Sequence, residues 1–290
     1  MVSELNFWTY ELMNEQKPTW LFLCGVGRSG TTVLRTSLGC HPQIYYNGFE
    51  NNIVQDVIEV ALRNCTMESR KKAMVVSQDQ YDEMFRELLN SLVWPNKELG
   101  QRPVHLAAIN PTPEQLDYLI QLFPGCKFIG LVRNGIEVVS SRTEYQSFAT
   151  NTFTAHCEIW NRAASVYEWG QKHSDCFLEV RQEWFYAPQR LHQWMELFCE
   201  WLSIEFSEEP TDKILGTLRH PTSADIQIGR REFQSTAIED KEKYFLSKRD
   251  RWRTWTPEQQ VEFANLCGEN MTMLGYDIPW VSSTTNSRLR

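Results

Sequence analysis

The sequence lacks several features that mark large classes of protein. It has no Cys-x-x-Cys pair, and so no zinc or dithiol motif of the common spacing. It has 29 basic and 37 acidic residues, a formal charge of −8, and therefore no basic excess for general nucleic-acid binding. The longest apolar run near the N-terminus, residues 20–24, has five residues, whereas a membrane-spanning helix needs about 20. We therefore expect no metal site, no nucleic-acid partner and no membrane span.

What is present is an ordinary globular composition of 290 residues, 42% hydrophobic and 23% charged. The first residues include Glu4, Glu11 and Glu15, without the basic and apolar stretches of a secretory signal. The last ten residues are polar, as is typical of a frayed end. These features predict a soluble, cytoplasmic protein with a single domain over residues 1–280 and a flexible tail over residues 281–290.

Short apolar runs alternate along the chain with segments whose apolar residues recur every three or four positions. The runs predict strands at residues 20–24, 104–109, 127–132 and 177–180. The periodic segments predict helices at residues 30–38, 136–145, 156–171, 188–202 and 257–274. Such alternation is typical of an α/β fold with a central parallel sheet flanked by helices.

A glycine-rich turn joins the first predicted strand to the first predicted helix. Glycines let backbone N–H groups converge on one point, and a helix N-terminus adds about half a positive charge. Arg28 adds a cation inside the turn, and Thr31 and Thr32 add hydroxyl groups in the first helical turn. The pattern indicates an anion-binding site made of Gly27, Arg28, Ser29, Gly30, Thr31 and Thr32.

The same turn can be compared with the loop of nucleotide-triphosphate-binding proteins, G-x-x-x-x-G-K-[ST]. Gly25 and Gly30 have the required spacing, but Thr31 stands where the lysine should be. That lysine holds the terminal phosphates of a magnesium nucleotide. A P-loop nucleotide kinase is therefore an alternative that the sequence disfavours.

A second basic site is predicted after the strand at residues 127–132. Arg133 follows the end of that strand, at the edge where parallel sheets bind their ligands. Ser141 lies on the next predicted helix and can face the same anion. An arginine and a serine at one strand–helix junction suit a second, separate phosphate group.

These two motifs make the sequence resemble the sulfotransferases that use PAPS, 3′-phosphoadenosine 5′-phosphosulfate, as their sulfate donor. The matching stretches are residues 27–32, 133–141 and 273–277. The resemblance is greatest to the branch with tyrosylprotein sulfotransferases and many bacterial sulfotransferases. It implies the P-loop-containing, nucleotide-kinase-like sulfotransferase fold. It also implies in-line transfer of a sulfuryl group to a hydroxyl or amine, with PAP as product, no metal, and a small-molecule, glycan or peptide acceptor.

The resemblance assigns roles to individual residues. The turn at residues 28–32 would hold the 5′-phosphosulfate, with Arg28 also catalytic. Arg133 and Ser141 would hold the 3′-phosphate. Glu50 matches the carboxylate that accepts the acceptor's proton, a role suited to a carboxylate beside the transferred group. His41 is the alternative base.

Two positions depart from the family pattern. Ile109 stands where the family tends to place a lysine that neutralises the bridging oxygen. Gln182 stands where the family has a tyrosine near the adenine. Loss of the lysine keeps a further alternative open, a catalytically weak module that binds PAP or PAPS.

The segment at residues 241–253 carries six basic and two acidic residues. In many family members a basic, aromatic segment before the last helix closes over the donor. The resemblance therefore predicts that Lys248, Arg249 or Arg251 reaches the 3′-phosphate, with Trp252 packing nearby. The alternative is a solvated charge run.

Overall fold

Five strands form one parallel sheet. The computed structural model describes residues 18–46, 52–67, 76–93, 102–148, 150–219 and 250–281, and within these ranges the strand order is β2-β3-β1-β4-β5. Each described pair of neighbouring strands is parallel. The carboxyl ends of the strands therefore lie along one edge. The strands are β1 (Thr19–Cys24), β2 (Ile44–Tyr45), β3 (Val104–Ile109), β4 (Lys127–Val132) and β5 (Phe177–Arg181).

Helices fill the connections between the strands and follow the last one. The helices that begin at Pro113 and Pro257 each follow a threonine that caps the helix. Proline suits the first helical position, because the backbone N–H that it lacks would have no partner within the helix there. The helices of the described ranges are α1 (Thr31–Leu38), α2 (Asn52–Thr66), α3 (Gln78–Val93), α4 (Pro113–Leu122), α5 (Gly135–Thr143), α6 (Phe153–Lys172), α7 (Pro188–Leu202), α8 (Glu209–Arg219) and α9 (Pro257–Met273).

The central strand β1 supplies the cores on both faces of the sheet. Trp20, Phe22 and Cys24 pack on one face with side chains of α2, α4 and α6. Leu21 and Leu23 pack on the other face with side chains of α1, α7 and α8. Because successive side chains of a strand point to opposite faces, a strand covered on both sides is a continuous apolar run. The predicted α/β fold with helices on both faces is confirmed.

A third apolar cluster fixes the turn after β4. Ile136, Trp160 and Phe263 bring α5, α6 and α9 together beside this turn. Gly135 permits the packing, since a Cβ at this position would lie 2.7 Å from the Trp160 ring. The Trp160 Nε1 also donates to the carbonyl of Arg133 at 3.1 Å. The backbone of this turn is therefore held by both packing and a hydrogen bond.

The predicted elements form, and some of their ends differ from the prediction. The bounds of β3, β4 and α7 are as predicted. α6 begins at Phe153 instead of residue 156, because the Thr152 hydroxyl accepts from the N–H of Ala155 at 3.2 Å and caps the helix. β2 was not predicted, since two residues carry no recognisable period. The single domain and its tail stay predictions.

Candidate active site at the carboxyl edge of the sheet

The turn between β1 and α1 is an open cradle for an anion. Gly30 precedes the helix with φ 101°, a left-handed conformation that suits glycine. Within the described ranges, the N–H groups of Gly30, Thr31 and Thr32 donate to no backbone carbonyl. The Ser29 N–H instead donates to the carbonyl of Val26 at 3.1 Å and closes the turn. The open N–H groups and the α1 dipole together favour a negative ligand.

Arg28 carries the cation of this turn and is exposed. Its φ is 80°, a conformation that costs a residue with a side chain about 1–3 kcal/mol. Its Nε donates to the Ser141 Oγ at 3.1 Å. Its guanidinium lies 4.4 Å from the centre of the Tyr145 ring. Two residues assigned by the sequence to separate phosphate groups are therefore in direct contact.

Arg133 lies beside the turn and is held on two sides. Its Nε and Nη2 donate to the Glu137 Oε2 at 3.1 and 2.7 Å. Its Nη1 donates to the carbonyl of Arg28 at 2.6 Å. Only 12% of the side chain is exposed. Asn134 then caps α5 by accepting from the N–H of Ile136 at 2.9 Å. A direct hydrogen bond thus links the Arg133 side chain to the backbone of the turn after β1.

A third arginine, not predicted from the sequence, packs against the same turn. Arg142 is 4% exposed. Its Nη1 donates to the carbonyl of Gly27 and its Nε to the Nδ1 of His156, both at 3.3 Å. Its guanidinium also lies 4.1 Å from the centre of the Phe148 ring. Burial, followed by the charge of Arg28, lowers the pKa of Arg142. The site therefore contains three arginines in contact with neighbouring parts of one turn.

The ends of β5 and α9 support the turn after β4. The Glu183 Oε1 accepts the N–H of Asn134 at 3.4 Å and the hydroxyl of Tyr276 at 3.1 Å. Arg181 Nη1 donates to the carbonyl of Leu274 at 2.9 Å. Burial, followed by the charge of Glu183, raises the pKa of Tyr276, which keeps its hydroxyl a neutral donor. A polar chain therefore links the end of the last described long helix to the second basic turn.

Three other residues that the sequence pattern singles out, Ile109, Gln182 and His41, are buried in the fold. Ile109 is 5% exposed at the end of β3, and Gln182 is also buried. His41 accepts the N–H of Gln43 through Nδ1 at 3.1 Å, and its Nε2 lies 2.8 Å from the carbonyl of Glu205. Burial is the main cause that lowers the pKa of His41. Because both ring nitrogens are engaged, His41 has no nitrogen left for an acceptor's proton.

The C-terminal basic segment is described only from residue 250. The Arg251 Nη1 lies 2.5 Å from the Glu144 Oε2, just beyond the end of α5. Trp252 packs against Trp280, with ring centres 4.9 Å apart. The reach of Arg251 to a 3′-phosphate therefore stays a prediction. Three other predicted site residues lie outside the described ranges, namely Glu50, Lys248 and Arg249.

The described residues contain neither a membrane-spanning helix nor a metal-binding cluster of side chains. None of their helices has both the length and the hydropathy that crossing a membrane demands. No three of their His, Cys, Asp or Glu side chains gather in a way that could hold a metal ion.

The parallel sheet and the turns after β1 and β4 define an α/β protein with a cluster of arginines at the carboxyl edge of its sheet. The sequence pattern of the Sulfotransferase family matches residues 18–208, from the start of β1 to just before α8. The chain therefore belongs to the Sulfotransferase family. The resemblance to sulfotransferases that the sequence motifs predict is therefore confirmed at the level of the family.

Named relatives agree with this assignment. The protein-tyrosine sulfotransferase of Drosophila melanogaster is 25% identical over 207 residues, which are 67% of this chain and 40% of that protein. Protein-tyrosine sulfotransferase 1 of Danio rerio is 26% identical over 216 residues, which are 70% of this chain and 58% of that protein. The chain thus spans about half the length of these two relatives.

Solved structures show the same fold. The sulfotransferase domain of the Synechococcus PCC 7002 olefin synthase has a TM-score of 0.55 at 20% identity, over 91% of this chain and 98% of that one. The sulfotransferase domain from the curacin biosynthetic pathway has a TM-score of 0.55 at 16% identity, over 90% of this chain and 98% of that one. The predicted sulfotransferase fold is confirmed.

Proposed function

We propose that this chain transfers a sulfuryl group from PAPS to a hydroxyl or amine of an acceptor, with PAP as the second product. The observation that carries the proposal is the convergence of Arg28, Ser141 and Arg133 at one edge of the sheet. Arg28 donates to Ser141 at 3.1 Å, and Arg133 donates to the carbonyl of Arg28 at 2.6 Å. PAPS has anionic groups at both ends of one adenosine, and this edge presents cations at two neighbouring strand ends.

The turn after β1 binds the 5′-phosphosulfate in this proposal. The open N–H groups of residues 30–32 and the α1 dipole stabilise the phosphate charge. Thr31 and Thr32 add hydroxyl donors, and the exposed Arg28 bonds the sulfuryl oxygens. Arg133 and Ser141 bind the 3′-phosphate. Lys248, Arg249 and Arg251 add further cations from the C-terminal segment.

The chemistry is a displacement at sulfur. The bond between sulfur and the bridging oxygen breaks while a bond between sulfur and the acceptor atom forms. The electron pair of the broken bond stays with the 5′-phosphate of PAP, where the N-terminus of α1 and Arg28 stabilise the growing charge. The acceptor's proton goes to Glu50. Because Ile109 is apolar and buried, this stabilisation operates without the lysine that the resemblance implies.

The donor is tested by thermal stabilisation. The wild-type protein is heated with PAP and, separately, with Mg-ATP. At ~100 times its dissociation constant, a ligand that binds only the folded state stabilises by about 2.7 kcal/mol. We expect a raised melting temperature with PAP and none with Mg-ATP. Preferential stabilisation by Mg-ATP would replace this proposal with a nucleotide kinase.

The base is tested with Glu50→Gln. We expect unchanged PAP affinity and a loss of about 10²–10⁴-fold in the rate of PAP release from PAPS, because the proton loses its acceptor. The assay supplies a panel of phenols, amines, sugars and tyrosine peptides. Glu59→Gln on α2, an exposed position, is the matched control. Unchanged turnover in Glu50→Gln would exclude this carboxylate as base.

The acceptor is proposed as a small molecule, a glycan or a peptide. The names of the Drosophila and Danio relatives give protein tyrosine as the acceptor of those proteins. A phenolic hydroxyl is therefore the first acceptor to try. Binding of PAP without turnover on any member of the panel would indicate a donor-binding module instead of an active transferase.

A further inference from the structure

The surroundings of Arg142 do not match its charge. It lies on α5, packed against the turn after β1, and is 4% exposed. Its three partners are the carbonyl of Gly27, the Nδ1 of His156 and the ring of Phe148. The His156 nitrogen accepts the hydrogen bond and is therefore unprotonated. Across the part of the chain that the structure describes, no carboxylate forms an ion pair with Arg142.

A buried cation is costly unless an anion balances it. The charge of Arg28, which is also positive, helps to lower the pKa of Arg142. Arg133, at the neighbouring position in the site, has Glu137 at 2.7 Å. Among the described residues, the buried charge of Arg142 therefore has only neutral groups as its partners.

The geometry shows what Arg142 does for the turn. It holds the carbonyl of Gly27 at 3.3 Å, and Arg133 holds the carbonyl of Arg28 at 2.6 Å. These carbonyls belong to the two peptide planes on either side of the Arg28 Cα. Fixing both planes fixes the backbone of Arg28, whose φ of 80° is otherwise unfavourable.

We propose that Arg142 is a positioning residue of the donor site. It fixes the peptide plane before Arg28, and its buried charge is balanced only when an anion fills the turn. This inference rests on the proposed function, because the anion is the donor or its product PAP. Arg142 does not touch the anion and acts through the turn and through its electric field. The position is therefore kept for binding at the expense of the ligand-free fold.

The binding half of the proposal is tested with Arg142→Met, which keeps the bulk of the side chain and removes its charge. Calorimetric titration measures PAP and, as a probe of the first turn alone, inorganic pyrophosphate. We expect both to bind at least about tenfold more weakly, because a charge and a positioning contact are lost together. Arg162→Met on the exposed side of α6 is the matched control and keeps wild-type affinity. Wild-type affinities in Arg142→Met would overturn the proposal.

The second test measures the melting temperature of the ligand-free protein. Here the loss of Arg142 is expected to cause no destabilisation. Arg142→Met with His156→Leu removes both side chains of the hydrogen-bonded pair and leaves the Gly27 carbonyl without this donor. Removal of a buried charge that no anion balances offsets the loss of that one neutral hydrogen bond. We expect a melting temperature equal to or above that of the wild type. A clear fall, up to failure to fold, would show that the fold itself needs the pair and would overturn the proposal.

The two proposals fail in different ways. If the wild-type protein binds pyrophosphate but not PAP, the proposed donor is wrong, while pyrophosphate still decides the role of Arg142. If it binds PAP and Arg142→Met binds PAP equally well, only the role of Arg142 is wrong. If it binds neither probe, both proposals fall.

Discussion

The two basic turns of the site are built differently. The turn after β1 keeps the N–H groups of residues 30–32 open and presents Arg28 to solvent. The Arg28 side chain donates to the hydroxyl of Ser141 and lies against the ring of Tyr145. The turn after β4 buries most of Arg133 and pairs it with Glu137. The first turn thus combines open N–H groups with an exposed arginine, whereas the arginine of the second turn is mostly buried and paired with a carboxylate of the protein.

Because of this difference, two phosphate groups bound at this one edge of the sheet would meet different surroundings. A ligand at the first turn displaces water and the Ser141 hydroxyl from Arg28. A ligand at the second turn shares Arg133 with a carboxylate 2.7 Å away. Variants of Arg133 and Glu137 test the contrast directly, and a titration of His156 tests the support behind the first turn.

The largest effect is expected for Arg133→Ala. Truncating one partner of a buried charge pair costs about 2–5 kcal/mol, so PAP affinity should fall by about 30-fold or more. The melting temperature should also fall, because Glu137 loses its partner. ADP, which lacks a 3′-phosphate, should lose less affinity than PAP. Arg190→Ala on the exposed side of α7 is the control. Equal losses for PAP and ADP would place Arg133 outside the 3′-phosphate site.

A smaller effect of opposite sign is expected for Glu137→Gln. The variant keeps an oxygen that accepts from Arg133 and removes the negative charge, so an anion no longer competes with a carboxylate. PAP should bind several-fold more tightly, and the ligand-free protein should melt at a lower temperature. Glu168→Gln is a matched control, since Glu168 forms an i,i+4 pair with Lys172 on an exposed surface. Weaker PAP binding in Glu137→Gln would contradict the contrast between the turns.

The smallest effect concerns pH. Burial, followed by the charge of Arg142, lowers the pKa of His156 below its ordinary value of about 6.5. Between the lowered pKa and about 6.5 the unfolded chain binds more protons than the folded one. The free energy of unfolding therefore falls as the pH drops through this window, by at most about 1.4 kcal/mol per pH unit for one histidine.

His156→Gln should flatten that dependence in urea unfolding from about pH 7.5 to about pH 5. His41 contributes in the same direction, because burial lowers its pKa as well, so part of the slope should persist. His192→Gln replaces an exposed histidine and is the matched control for the substitution itself. A slope in His156→Gln equal to that of the wild type would show that His156 is not the group that titrates.

The parts of the site that could be predicted from the sequence are those encoded by neighbouring residues. The apolar run of β1, the glycine spacing and the start of α1 follow one another, and Arg133 follows β4 directly. The role of Arg142 depends on a contact with Gly27, 115 residues away in the chain. One local sign existed, because Arg142 follows Val138 and Val139 by four and three residues and so lies on the buried face of α5.

The same reasoning explains the missed support of the second turn. Glu183 looks like an ordinary charged residue after a strand, and its partner Tyr276 is 93 residues away. No local period or motif connects the two. The prediction of Glu50 as base came from the spacing of a short motif and stays a prediction, as do the roles of Lys248 and Arg249.

The hydrogen bond from Tyr276 to Glu183 also sets an order in which parts of the site can form during synthesis. All five strands of the described sheet lie before residue 182, so the sheet can pair while the rest of the chain is still being made. Glu183, which accepts the N–H of Asn134 in the turn that carries Arg133, gains its partner Tyr276 only when residue 276 has emerged from the ribosome. A nascent chain therefore acquires its scaffold well before it acquires a finished pocket.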